Sequence, residues 1–174
     1  STEKTAGSPA SPTTTSVAAP SSTATAAPGV AETFSAITPK AVYTFSNVGA
    51  VPVSVVLRDY KNRSVTSGPV AFGAPGNPVM GYRLITPTDT VDLSKLAFAP
   101  SHTTGANGDE VVTYATTAGS HTISISYTIP HDTSASYLIR VDGRISGAQS
   151  PAYLITALPK TIQPTEADTI GEHR

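Results

Sequence analysis

The chain has 174 residues and no Cys, which allows one domain and excludes disulfides, thiolate metal sites and cysteine nucleophiles. Apolar residues make up 39% and charged residues only 13%, so a surface rich in Ser, Thr, Ala and Gly is expected. A formal charge of -1 and a pI near 6.4 exclude a global field that draws the chain onto nucleic acid or anionic lipid, and leave only local contacts.

In residues 1–30 all but Glu3, Lys4, Val17 and Val30 are Ser, Thr, Ala, Pro or Gly. So little buriable area cannot offset the entropy of ordering, and residues 1–32 are predicted to be a flexible arm, with an O-glycosylated stalk as the alternative. From Phe34 the texture changes to short runs rich in Val, Ile, Thr, Tyr and Phe, interrupted by Gly, Pro, Asn and Asp. Ala41 to Ser46 and Val51 to Asp59 flank Asn47-Val48-Gly49-Ala50, a hairpin turn by its Asn and Gly. Pro52 cannot donate a ladder hydrogen bond, so it belongs at a strand start or a sheet edge.

Turn clusters are expected at Lys61 to Ser64 and Gly73 to Pro78, with Val65 to Phe72 between them too broken for a long strand. Val79 to Thr86 is a predicted strand, Val91 to Leu96 a strand or one helical turn, and His102 to Asp109 a loop. Four strands follow: Glu110 to Thr116, His121 to Ile129, Ala135 to Ile145 and Pro151 to Leu158. Between 123 and 129, Ile123, Ile125, Tyr127 and Ile129 alternate with Ser124, Ser126 and Thr128, which gives this strand one core face and one polar face. No segment has an apolar stripe at helical spacing over three turns, and no run approaches the ~18 apolar residues of a membrane helix. The expected fold is all-β, an antiparallel two-sheet sandwich over residues 33–160 with a polar tail at 161–174. A jelly roll is favoured over an immunoglobulin-like order, whose Cys and Trp marks are absent.

Chemistry-bearing groups are sparse. His102, His121, His131 and His173 fall at no recurrent metal-ligand spacing, and the Asp89–Asp92 spacing matches no calcium loop. No Gly-x-Ser-x-Gly or phosphate-binding glycine loop occurs, so no catalytic site, metal or cofactor is expected, and the chain is read as a non-enzyme. Asn62-Arg63-Ser64 fits the N-glycosylation pattern and is read as a turn. Arg58, Lys61 and Arg63 gather near that turn, and Arg140 and Arg144 share one strand face. Solvated charge is the plain reading of both sets; a small phosphate-contacting patch at Arg58, Lys61 and Arg63 is the functional one.

The stretch His121 to Thr156 has Ile123-Ser124-Ile125, then Pro130, then Ser134-Ala135-Ser136 leading into Ile139, Val141, Gly143 and Ile145-Ser146, and closes on Ser150-Pro151 and Ile155-Thr156. In this order it resembles the last strands of tymovirus-like coat proteins. The resemblance implies a single jelly roll whose copies tile an icosahedral shell around single-stranded RNA, with the N-terminal arm inside or between subunits. The expected function is therefore a structural virion protein, a capsid or shell subunit whose main partner is itself, with weak contact to viral nucleic acid and none to membrane. The rival expectation is a secreted or surface-displayed sandwich module that binds glycan or protein.

Overall fold

A computed structural model describes residues 31–63, 68–74, 76–105, 107–131, 137–147 and 150–159. The arm over 1–30, the tail from 161 and the Ser134-Ala135-Ser136 element of the resemblance lie outside these residues. Strands β1 (Thr33–Ile37), β2 (Ala41–Ser46), β3 (Val51–Asn62) and β4 (Gly68–Phe72) form one antiparallel sheet in chain order. Strands β7 (Ala99–Thr104), β8 (Glu110–Ala118), β9 (His121–Ile129) and β10 (Arg140–Ser146) form a second. A third sheet has β5 (Gly81–Ile85) in the middle, between β6 (Thr90–Asp92) and β11 (Tyr153–Ala157).

The first two sheets pack face to face over one core, and the fold is an all-β antiparallel sandwich. Jelly-roll and immunoglobulin-like orders both set strands distant in sequence side by side. Here each four-stranded sheet runs in chain order, and among the described residues the distant pairing is that of β11 with β5.

Sequence chemistry explains the turns. At the β2–β3 hairpin Gly49 and Ala50 both take positive φ, and a Cβ on Gly49 would lie 3.3 Å from the Ser94 backbone. That close approach is used: Gly49 N–H donates to Leu96 O, and Phe98 N–H donates to Asn47 O. Asn47 also ties down the chain entrance, since its Oδ1 accepts from Glu32 N at 2.8 Å. Pro52 is the second residue of β3, and its carbonyl accepts from Val79 N, so the missing donor costs no ladder bond.

Both readings of Val91 to Leu96 hold in succession. β6 ends at Asp92, whose carboxylate accepts from Ser94 N and caps a 3₁₀ turn at Leu93–Lys95. Two other expectations are corrected. Lys61 and Asn62 are strand, not turn, because β3 resumes pairing with β4 after a bulge. His102–Thr104 is also strand, held by pairing with β8 although it lacks an apolar face.

Tyr127 joins the three sheets. Its ring packs on Phe45 of β2 at 4.7 Å between centroids, and its hydroxyl donates to Ala50 O at 2.8 Å. With that proton committed, Tyr82 of β5 donates to Tyr127 Oη at 2.7 Å. Neighbouring Ile123, Ile125 and Ile129 are buried, as the period-two pattern of β9 requires. The third sheet meets the second where β10 passes β11: a Cβ on Gly143 would lie 2.7 Å from Leu154 Cδ2, so any larger residue there makes the Leu154 side chain shift.

Candidate functional site

The cations singled out in the sequence lie at the far end of β3. Leu57 pairs with Val70 and Lys61 with Pro69, so Arg58, Asp59 and Tyr60 form a bulge with no partner on β4. The bulge is fixed from the other side by the β1–β2 turn. Arg58 N–H donates to Lys40 O, the Arg58 guanidinium donates to Thr38 O at 3.1 Å, and Lys40 pairs with the Asp59 carboxylate. The hydrogen bond from Lys40 holds the Asp59 carboxyl below its ordinary range and raises the Lys40 ammonium in return. Those two charges offset each other. Arg58, Lys61 and Arg63 remain as the exposed positive groups of this end, and Arg58 is partly engaged.

The structure adds two aromatics that the charge pattern alone did not single out. Tyr60, on the bulge and half exposed, lies 5.9 Å from Tyr137 between ring centroids at an interplanar angle of 54°. Tyr137 is positioned by its own backbone, since Tyr43 Oη donates to its carbonyl at 2.7 Å, and its hydroxyl reaches Asp59 Oδ2 at 3.4 Å. The signal for Tyr60 was present in the sequence as an aromatic between charges, Arg58-Asp59-Tyr60-Lys61. Nothing local marks Tyr137, which comes from the far side of the chain.

Several of the other polar groups weighed in the sequence have structural partners. Asp89 Oδ1 accepts from Thr90 N, Asp92 caps the 3₁₀ turn, and Asp109 Oδ1 accepts from His131 N. Hydrogen bonds from Ser94 hold the Asp92 carboxyl below its ordinary value. The His102 ring packs on Phe34, 4.4 Å between centroids, where β7 meets β1. His121 is buried beside the β8–β9 turn, and its Nε2 has no hydrogen-bond partner among the described residues. Among the described residues no three His, Asp or Glu side chains converge as metal ligands would. Arg140 pairs with Asp142 at 3.1 Å on β10.

A second surface is apolar. On β11, Tyr153 and Ile155 share the face opposite Leu154, and they lie across from Ile85 and Arg83 of β5. Leu154 packs against the core, while Tyr153 is 64% and Ile155 44% exposed and Leu158, just beyond, is 76% exposed. Among the described residues β11 is an end strand of its sheet, with a backbone edge that pairs with no other strand.

Comparison with known proteins finds no matching family model, and neither a curated protein nor a solved structure matches the chain.

Proposed function

We propose that this chain is a structural virion protein, a coat or shell subunit that acts by associating with many copies of itself. The observation that carries this reading is β11, an end strand whose outward face presents Tyr153 and Ile155 to solvent with Leu158 beside them. A long-lived monomer normally blunts such an edge with charge, Pro or a covering segment, whereas an assembling subunit keeps it for a neighbour. The low charge content favours the same reading, because a net charge of -1 sets up little repulsion between copies. The jelly-roll coat resemblance in the C-terminal strands points the same way, and it is from there that the virion location and the packaged RNA are inferred.

The experiment is light scattering and negative-stain imaging of the full chain across a salt series, beside Ile155→Lys. Contacts made by apolar and backbone burial persist at high salt, so the wild-type chain should form particles throughout. Ile155→Lys should fold and fail to assemble. A wild-type chain that stays monomeric at every concentration and salt would overturn the shell reading in favour of a displayed sandwich module.

A further inference from the structure

We infer that the β3 bulge is a single-stranded nucleic-acid site, in which Tyr60 stacks on a base while Lys61 and Arg63 hold the flanking phosphates. The inference rests on the shell-subunit reading for the source of the strand, and on geometry for the site itself. Three features meet at one end of one strand. Tyr60 lies on the bulge with about half its surface in solvent, and Tyr137 abuts the ring at a tilt, so part of the ring is held and part is exposed. The ion pair between Lys40 and Asp59 neutralises the one carboxylate of the bulge, which removes the nearest group that would repel a phosphate. Lys61 and Arg63 are exposed and form no ion pair among the described residues, so they supply positive charge within a few residues of the ring.

An exposed ring interleaved with cations is what binds an unpaired strand: bases stack on the ring irrespective of sequence, and the backbone follows the charge. A duplex keeps its bases stacked on each other and could use the cations alone. With so few of them, on a chain of net charge -1, duplex binding should be much weaker. Arg58 is placed in a supporting role, because its guanidinium already donates to Thr38 O and anchors the bulge to the β1–β2 turn.

The test is fluorescence anisotropy of a labelled oligouridine against the full-length chain over a salt series, with a duplex of equal length as the comparison. Two phosphates held by Lys61 and Arg63 give a slope of log affinity against log salt of about -1.4 for a single strand, and up to about -2 if Arg58 joins them. Tyr60→Leu keeps bulk on an exposed strand position and removes the ring. It should weaken binding at least roughly fivefold with the slope unchanged, while Tyr60→Phe binds like the wild type. The double variant Lys61→Gln, Arg63→Gln should flatten the slope by about 1.4. Equal binding of wild type and Tyr60→Leu, tighter binding of the duplex, or no binding at low salt would each overturn the site. Light scattering on the same wild-type samples separates the two readings: a chain that assembles without binding the oligonucleotide loses the site and keeps the shell, and one that binds without ever assembling loses the shell and keeps the site.

Discussion

Strands β9 and β11 are both short and apolar-rich, and both were predicted as strands from the sequence, yet their fates differ. β9 sits between β8 and β10, and every apolar side chain of its inner face is buried against the first sheet. β11 pairs with β5 on one side only, and of its large apolar residues Leu154 turns to the core while Tyr153 and Ile155 face out. Alternation tells which residues share a face. Whether that face is covered depends on where the strand lands in its sheet, and this is decided by pairings far away in sequence.

The contrast can be broken most severely at β9. Ile125→Asp puts an unpaired charge into the fully buried face, costs several kcal/mol and should leave no cooperative transition in a circular-dichroism melt. A normally melting protein would mean that the faces of β9 are reversed.

Alkaline pH attacks the same core through its phenols. Burial pushes Tyr114 up to about 12 from an ordinary value of 10.0, and pushes Tyr43, Tyr82 and Tyr127 upward as well. A raised folded-state value means that the neutral form is favoured by folding. The stability these groups contribute is therefore complete below pH 10 and is lost as pH rises through the folded-state values. Melting temperature should be flat below pH 10 and fall steeply above it, together with a late, cooperative rise in tyrosinate absorbance.

A smaller loss is expected from Tyr127→Phe, which keeps the ring on Phe45 and removes the hydroxyl between Ala50 O and Tyr82. Leaving those two buried groups without their partner should cost about 1–3 kcal/mol, read as a shift of the urea midpoint with the slope unchanged. At the far end of the scale, Ile155→Lys should change the stability of the unassembled domain by no more than about 0.5 kcal/mol. The same substitution should sharply reduce self-association. That pairing of a silent fold effect with a strong association effect distinguishes β11 from β9 in a single variant.

The sequence disclosed the parts of the fold that local chemistry controls. The β2–β3 hairpin was visible because Asn47 and Gly49 supply what its turn needs, and β9 because its period-two pattern has no exception. β7 was hidden: Ala99–Thr104 is exposed at nearly every position, and pairing with β8 holds it rather than any apolar face of its own. The bulge was hidden for a related reason, since Lys61-Asn62-Arg63 has the composition of a turn and only the resumed register with β4 makes Lys61 and Asn62 strand. Of the candidate site, the three cations were readable as a cluster near one point of the chain. Tyr137 was not, because its approach to Tyr60 is a tertiary fact carried by the hydrogen bond from Tyr43 to its carbonyl.

The order of strands within the sheets bears on how the chain folds. Every neighbour pair in the two four-stranded sheets joins strands consecutive in sequence, so each sheet can form by closing short loops, at little entropic cost and without waiting for the other. Tyr153 meets Ile85 only across about 70 residues of chain, which makes the β5–β11 pairing the costliest closure of the molecule. β11 is accordingly the last strand to dock and the first to open, and its amides should exchange with solvent before those of β8 and β9 do. A chain built this way completes its core early and leaves β11 as the strand whose docking comes last.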